Sequence, residues 1–371
     1  MNNKIGIHQY VFVILLLVSI TNAKLENLPG NTMYRGNLQR TGVSKAKGVH
    51  QLKGMKWKFK TGRKVNSSPS IFHDTVYFGS GDGHLYAVNA KTGIEKWRFK
   101  TGDEVASSPA IYKGLVFFGS LDNCVYALDH DSGTERWKFT TEDWIKSSPC
   151  VHDGVVYVGS NDCHLYAIDA ETGKAKWKFK AESAIDSSPA ILDGNIYFGS
   201  GDQHLYAVDI KTGQQKWKLN SEGMILGTPA ISDGVIYFGN LYGRIYAVDI
   251  KSGKEKWHRG VGNQVMGSPA IHDGIFYFGS GRRLFAVDKK TAELKWIFEV
   301  AAPGFFGVSS SPTVADGVVY FGGESAIYAL DATKGELKWQ FNTEKQISSS
   351  PAIADGIVYF SCIDGNVYAL E

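Results

Sequence analysis

Short apolar runs alternate with polar turns along most of the chain, and residues 107–139 show this pattern most clearly. Gly, Asp and Asn residues bound four runs there, at residues 110–112, 115–118, 124–128 and 136–139. Runs of this length that are rich in aromatic and β-branched residues predict antiparallel strands joined by hairpins. No part of the chain after the amino-terminal apolar run shows sustained helical periodicity, so the pattern predicts an all-β fold.

The four-strand pattern returns with a period near 40 residues. A fixed period of this size indicates one supersecondary unit copied in space. A tryptophan marks each copy, and because indole is large, flat and carries an N–H group, we expect it to pack between neighbouring sheets and to reach a backbone carbonyl. The eight docking residues are Trp57, Trp97, Trp137, Trp177, Trp217, Trp257, Trp296 and Trp339.

The two ends of the chain carry complementary fragments of the unit. Residues 56–59 resemble a fourth strand without the three strands before it, and the chain ends at Glu371 after three strands without a fourth. Pairing of these ends completes an eighth unit and leaves only short sheet edges. The sequence therefore predicts an eight-bladed β-propeller of four-stranded antiparallel sheets over residues 51–371, closed by its terminal strands and preceded by a lead-in segment at residues 24–50.

The polar residues of the repeat also have a structural interpretation. An aspartate opens the turn before the last strand in six copies, where a carboxylate can accept backbone N–H groups and glycine supplies positive φ. These residues are Asp129, Asp169, Asp209, Asp249, Asp288 and Asp331, with Asn89 in the same place in another copy. His84, His164 and His204 recur in different copies. Packed sheets lie about 10 Å apart, whereas zinc ligands lie about 2 Å from one ion, so no metal site is expected.

A twelve-residue word recurs in four consecutive copies. It reads Tyr-Ala-Val/Ile/Leu-Asp-x-x-Thr/Ser-Gly-x-x-x-Trp and occurs at residues 126–137, 166–177, 206–217 and 246–257. The word resembles the tryptophan-docking repeat of the pyrroloquinoline-quinone-like propellers, a family that spans quinoprotein dehydrogenases and the outer-membrane assembly factor BamB. The resemblance covers roughly residues 31–371. The resemblance implies a propeller fold. It leaves the function open between a protein-binding scaffold and an oxidoreductase with the quinone, Ca²⁺ and a catalytic aspartate, because one fold carries many activities.

The amino terminus predicts export. Lys4 precedes an apolar run at residues 11–20, and Thr21-Asn22-Ala23 offers small residues to a signal peptidase, so residues 1–23 are interpreted as a cleavable signal. The run is too short for a typical membrane span, although an uncleaved anchor is the alternative. BamB-type lipoproteins carry their lipid on a cysteine directly after the signal, and the first cysteine here is Cys124. We therefore expect a mature chain without a lipid anchor or a transmembrane span, in the periplasm or outside the cell.

Charge and cysteine content constrain the partners and cross-links. Lys and Arg total 40 against 37 Asp and Glu, which gives a net charge of +3. The cations are interpreted as spread among the turns, which argues against nucleic acid as a partner. Cys124 and Cys163 occupy equivalent hairpins of neighbouring copies, so a disulfide between them is left open by the spacing.

Candidate binding residues lie where the copies differ. In a propeller of this kind the residue before each Ser-Ser-Pro word borders the central mouth, and these residues are Asn66, Ala106, Lys146, Asp186, Leu226, Met266, Ser309 and Ser348. Lys146 and Asp186 are placed to pair, with Leu226 and Met266 forming an apolar arc beside them. Large aromatic residues on loops are typical binding anchors. Trp144, outside the repeat register, and Phe305 and Phe306, on a lengthened loop, meet that description.

The function favoured by these patterns is a non-catalytic scaffold in the cell envelope. Its expected partners are envelope or outer-membrane protein segments, bound by a monomer within a larger complex and without a cofactor. The alternatives are a glycan or small-ligand receptor and a quinone-dependent dehydrogenase with Ca²⁺. The chain has no Gly-x-Ser-x-Gly elbow, Walker loop, Cys-x-x-Cys pair or vicinal cysteine pair, so an enzyme is the less favoured interpretation.

Overall fold

The computed structural model describes residues 32–301 and 307–371. The predicted signal at residues 1–23 and the aromatic candidates Phe305 and Phe306 therefore lie outside the described residues. Eight antiparallel four-stranded sheets surround a central channel, and one further two-residue strand joins the seventh sheet. The described residues contain no helix, and so none that is long and apolar enough to span a bilayer. The prediction of an eight-bladed all-β propeller is confirmed.

The strands of each blade run outward from the channel in chain order. Before the first complete blade lie β1 (Val43–Ser44) and β2 (Met55–Lys60). Blades 1 to 4 are β3 (Ser70–Phe72), β4 (Thr75–Gly79), β5 (His84–Asn89), β6 (Glu95–Lys100); β7 (Ala110–Tyr112), β8 (Leu115–Gly119), β9 (Cys124–Asp129), β10 (Glu135–Thr140); β11 (Cys150–His152), β12 (Val155–Gly159), β13 (His164–Asp169), β14 (Ala175–Lys180); and β15 (Ala190–Leu192), β16 (Asn195–Gly199), β17 (His204–Asp209), β18 (Gln215–Asn220). Blades 5 to 8 are β19 (Ala230–Ser232), β20 (Val235–Gly239), β21 (Arg244–Asp249), β22 (Glu255–Gly260); β23 (Ala270–His272), β24 (Ile275–Ser280), β25 (Arg283–Asp288), β26 (Leu294–Glu299); β27 (Thr313–Ala315), β28 (Val318–Gly322), β29 (Ala326–Asp331), β30 (Leu337–Asn342); and β31 (Ala352–Ala354), β32 (Ile357–Ser361), β33 (Asn366–Leu370) with β2.

The core lies between neighbouring blades. The second and third strands of each blade are largely buried because adjacent sheets cover both of their faces, whereas the fourth strands alternate between exposed and partly buried residues. Phe117 of blade 2, for example, belongs to one buried cluster with Val156 and Ile168 of blade 3. Each such cluster needs a neighbour on either side, so a closed ring buries apolar surface that an open stack would expose at its ends.

The chain termini close the ring in one sheet. β2 pairs antiparallel with β33, with Phe59 opposite Val367. Just beyond the paired strands, the Glu371 N–H donates to the Gly54 carbonyl at 3.0 Å, and the Gly54 N–H donates back to the Glu371 carbonyl at 3.1 Å. The predicted closure by amino- and carboxyl-terminal strands is therefore present.

A ring of hydroxyl groups links the blades around the channel. The backbone N–H of Ser68 donates to Ser108 Oγ at 2.9 Å, and Ser108 N–H donates to Ser148 Oγ at 3.0 Å. Equivalent bonds continue through Ser188, Thr228, Ser268 and Ser311, and Ser350 N–H donates to Ser68 Oγ. In seven copies the second residue of the Ser-Ser-Pro word, or its equivalent, is thus a connector between blades, because its hydroxyl satisfies a backbone amide of the neighbouring copy.

The described part of the lead-in segment lies in the channel. We call residues 32–50 the channel segment, since its carbonyl groups accept N–H bonds from the innermost strands of five blades. The donor and acceptor pairs are Ile111 with Thr32, Ile191 with Leu38, Ile231 with Gln39, Ile271 with Thr41 and Val314 with Gly42. β1 then runs parallel to β27. Inner sheet edges carry unpaired backbone groups, so this segment completes the hydrogen bonding of the fold.

Candidate binding face

One face of the ring is devoted to tryptophan docking. We call it the docking face; it carries the hairpins between first and second strands and the turns between third and fourth strands. Seven of the eight indole Nε1–H groups donate to a backbone carbonyl, as predicted. The turn aspartates accept backbone N–H bonds as expected, and at Asp209 Lys216 together with the Thr212 N–H lowers the carboxyl pKa to about 2.

A turn glycine lies under each regular docked indole. A Cβ atom added at Gly173 would lie 2.8 Å from ring atoms of Trp137, and the φ of Gly173 is +70°. The corresponding residue beside Trp257 is Ala292, with φ +59°. Trp257, whose turn carries this methyl group, lacks the usual indole bond in the described structure, and Arg259 Nη1 donates to the Ala292 carbonyl.

Ring closure creates a second exception at Trp339. In blade 8 no turn joins the third strand, β33, to the fourth strand, β2, so the carbonyl that such a turn gives to the other indoles is not available there. Val49 of the channel segment provides it, with Trp339 Nε1 2.7 Å from the Val49 carbonyl oxygen. The channel segment therefore also completes the last docking site.

The opposite face, which we call the rim face, carries the second-to-third-strand hairpins and the loops that lead into each inner strand. Asp82 joins two such elements: its Oδ2 accepts the Gly62 N–H at 2.7 Å and the Tyr86 O–H at 2.9 Å. Burial alone would raise the pKa of Asp82, but these hydrogen bonds outweigh it and lower the pKa. Similar ties occur at Asp122 with Gly102, Asp162 with Glu142 and Asp202 with Glu182.

Blade 5 departs from this tie. Tyr242 stands where blades 1 to 4 have the aspartate, and Asn240 makes the connection to the preceding loop, its Nδ2 donating to the Ser221 carbonyl at 2.8 Å. The Tyr246 hydroxyl donates to the same carbonyl at 2.7 Å. Tyr242 is 70% exposed. The Tyr242 side chain thus does not make the hydrogen-bonded connection that the aspartate makes at this position in blades 1 to 4.

An apolar surface surrounds Tyr242. We call it the apolar arc; it consists of Met224, Leu226, Tyr242 and Met266 on three adjacent elements of the rim face. Met224 and Met266 are 42% and 40% exposed, and the Met224 carbonyl accepts the Leu241 N–H at 3.0 Å. Leu226 and Met266 lie on the rim as the sequence placed them. Met224 and Tyr242 were missed, although the loss of the aspartate at position 242 was a readable signal.

Blade 3 carries a second cluster beside the apolar arc. Lys146 Nζ lies 3.5 Å from Asp186 Oδ2 and 5.6 Å from the centre of the Trp144 ring. The expected pairing of Lys146 with Asp186 is present, and Trp144 is 47% exposed. Asp186 Oδ1 and Asn161 Oδ1 are buried and have no hydrogen-bond partner in the described part of the chain. This cluster combines an open aromatic ring with unused acceptor atoms.

The remaining part of the rim is polar. Asn66 Nδ2 donates to Glu104 Oε1 at 3.1 Å, and the Ser348 hydroxyl donates to Asn66 Oδ1 at 3.1 Å. Lys64 Nζ lies 3.2 Å from Glu104 Oε2. Asn66 is therefore held by its neighbours across the ring closure, and the rim is divided into a polar sector and an apolar sector.

The described rim does not match a quinone held beside Ca²⁺. Calcium takes six to eight oxygen ligands. Glu104 and Asp186 lie on separate blades, and each is already paired with a cation. Within residues 32–301 and 307–371 no group of three or more His, Cys, Asp or Glu side chains is arranged to hold a metal ion.

Two interpretations of charge and cysteine pattern change with the structure. Basic residues are not confined to turns: β2, β6 and β14 each place three on the exposed side of an outer strand, as at Lys176, Lys178 and Lys180. The first of these three pairs with its turn aspartate, Lys176 Nζ lying 3.1 Å from Asp169 Oδ2. The conceivable disulfide is not formed, since Cys124 and Cys163 are both free thiols.

Comparison with known proteins agrees with this geometry. A family model described as Outer membrane protein assembly factor BamB matches residues 51–143, 121–262, 220–324 and 299–371. The chain belongs to this family. BamB from Moraxella catarrhalis has a similar structure, with a TM-score of 0.74, 16% identity and coverage of 85% of this chain and 99% of that one.

Solved enzymes share the BamB-type frame. A europium-containing methanol dehydrogenase superposes with a TM-score of 0.83 at 15% identity, over 95% of this chain and 100% of that one. The quinohemoprotein alcohol dehydrogenase from Comamonas testosteroni gives a TM-score of 0.79 at 17% identity, over 95% and 82%. No curated protein matches the chain. At these identities the structural likeness establishes the fold alone.

Proposed function

We propose that this protein is an exported, non-catalytic propeller that binds protein segments of the cell envelope through the apolar arc of its rim face. The observation that carries the proposal is Tyr242. A large aromatic side chain that is 70% exposed replaces a connecting aspartate, while Asn240 keeps the connection. Because Asn240 makes the connection to the preceding loop, the exposed Tyr242 ring is not needed for that connection in blade 5.

The composition of the apolar arc supports a protein partner. Tyrosine supplies broad contact area and a polar tip, and methionine adapts to irregular surfaces, which is why both are enriched where proteins bind one another. Leu226, Tyr242 and the two methionines lie on neighbouring loops, so one extended segment can contact all four. Membership in the BamB-type family favours envelope proteins as the partners. The periplasm or the cell exterior remains the proposed location.

Site-specific photo-crosslinking tests this function. A photoreactive phenylalanine analogue at position 242 should give discrete crosslinked products with envelope proteins in living cells. Position 94 is a matched control, because Ile94 is 68% exposed and lies on the docking face. Products from position 242 but not from position 94 support binding by the rim face. Equal labelling from the two positions, or none from position 242, contradicts it.

The blade 3 cluster supports a second candidate, a glycan receptor. A sugar can stack on the exposed Trp144 ring while the neighbouring Lys146 ammonium donates to one of its hydroxyl groups. Binding to envelope glycans on an array that is lost in Trp144→Ala and retained in Tyr242→Ala would favour this candidate. The reverse result, or no glycan bound, favours the protein-binding function.

A further inference from the structure

The channel segment carries two guanidinium groups into the interior. Arg35 is 6% exposed and Arg40 is fully buried. Arg40 Nε donates to the Pro189 carbonyl at 3.0 Å and Nη2 donates to the Pro149 carbonyl at 3.0 Å. Arg35 Nη1 donates to the Pro312 carbonyl at 2.6 Å. Carbonyl groups thus satisfy much of their hydrogen bonding.

Neither guanidinium has a carboxylate partner among the residues that the structure describes. The ion pairs found there include neither Arg35 nor Arg40. Burial of a charge is costly unless an opposite charge accompanies it, even where hydrogen bonds are complete. The interior of the ring therefore holds two positive charges without a formal negative charge.

A small cavity lies beside Arg35. Its volume is about 20 Å³, and its lining includes Tyr34, Arg35, Ser68, Thr313 and Ser350, with no acidic side chain. Arg35 Nε is buried and has no hydrogen-bond partner among the residues that the structure describes. Ser68 Oγ accepts the Ser350 N–H at 2.8 Å, which leaves its own hydrogen available to donate. The cavity is thus lined by a cation and by hydroxyl groups and holds no negative charge of its own.

We propose that this cavity is a binding site for one monatomic anion, for which chloride is the physiological candidate. A cavity of this volume accommodates a single water-sized particle, so a monatomic anion fits it better than phosphate, sulfate or a carboxylate. An anion supplies the negative charge that the two guanidinium groups lack, which a water molecule cannot do. The site is independent of the rim face and of the function proposed for it.

The titration of the neighbouring groups supports the same electrostatic description. Burial lowers the pKa of Arg35 to about 10, so the group stays charged at neutral pH. Burial alone would raise the pKa of Tyr34, yet the charge of Arg35 and hydrogen bonds from Ser268 and Ser311 bring that pKa below its ordinary value. The surroundings of the cavity therefore favour negative charge despite being buried.

Bromide provides a direct test, because it is a chloride analogue with a strong anomalous signal. Crystals of the intact protein grown in sodium bromide should show one anomalous peak in the cavity, beside the Arg35 side chain. A cavity that contains only a water molecule, with no anomalous signal, would overturn the proposal.

Thermal unfolding gives a second test with a matched pair of variants. At equal ionic strength, sodium chloride should raise the melting temperature above that in sodium gluconate, because each tenfold rise in chloride above its dissociation constant multiplies the folding equilibrium constant about tenfold. Ser68→Ala and Ser188→Ala each remove a ring hydroxyl that accepts an amide at 2.8 Å, but only Ser68 lines the cavity. Chloride dependence should be reduced in Ser68→Ala alone. An equal response in both variants contradicts the site.

Discussion

The docking face and the rim face are both made of short connections between strands, yet they differ in how freely their residues vary. On the docking face most indoles have a carbonyl partner and a turn without a side chain beneath them, so Gly173 and its equivalents repeat. On the rim face an aspartate ties the elements in blades 1 to 4, but Asn240 does the same task in blade 5. The comparison teaches that where two different residues can each make the same connection between loops, one of the two positions is free to carry a different side chain.

The largest effect is expected from breaking the docking face at Gly173. Gly173→Ala places a methyl group 2.8 Å from Trp137 and adopts positive φ, so we expect a loss of about 3 kcal/mol in the free energy of unfolding. Gly194→Ala has a similar φ of +72° with nothing within 4 Å of the new atom, and it should cost only about 1 kcal/mol. Chemical denaturation measures both. Equal losses would show that backbone conformation, and not the indole, requires glycine.

A gain of stability is expected where the repeat already violates its own rule. Ala292→Gly removes a methyl group from a turn with φ +59° and restores the surface on which other indoles dock. We expect about 1 kcal/mol of stabilisation. Denaturant titration of the variant measures it, with Trp257 fluorescence as a local probe. A loss of stability would mean that Trp257 does not need this glycine.

Acid should weaken the docking face through its turn aspartates. The pKa of Asp209 is about 2 in the folded state, lowered by Lys216 and the Thr212 N–H, against roughly 3.9 in an unfolded chain. Its contribution to stability is therefore present above pH 4 and is lost as the pH falls towards 2. Asn89 shows that an amide keeps the turn bonds. Asp209→Asn should accordingly show a smaller fall in melting temperature between pH 5 and 2, and an unchanged fall would contradict the assignment.

The smallest effect on stability is expected on the rim face. Tyr242→Ala and Trp144→Ala remove exposed rings. Each should therefore change the melting temperature by less than any docking-face variant changes it. Partner capture should instead fall about tenfold or more if either ring is an anchor. Quantitative crosslinking from a neighbouring rim position measures this loss. A large loss of stability in Trp144→Ala would show that this ring is structural.

The sequence predicted the repeated part of this structure better than its unique parts. The spacing of the tryptophans and the incomplete repeat units at the two ends predicted eight blades and their closure, because the same pattern recurs in every copy. Lys146 and Asp186 were placed correctly for the same reason. The path of the channel segment was not predicted, since Arg35 and Arg40 bind carbonyl groups, which carry no sequence information. The exposure of Tyr242 was not predicted, because it depends on the hydrogen bond that Asn240 makes to the preceding loop.

Bonds between the first and last described residues impose an order of assembly on the chain. The Val49 carbonyl accepts the Trp339 indole N–H, and Ser44 Oγ donates to the Ile353 carbonyl. Ser68 Oγ accepts the Ser350 N–H. Contacts across nearly the whole chain are slow to form because a long loop must close before any of them is gained. The channel segment therefore gains its last contacts only after blades 7 and 8 have formed, and removal of blade 8 would break some of these contacts as well as open the ring.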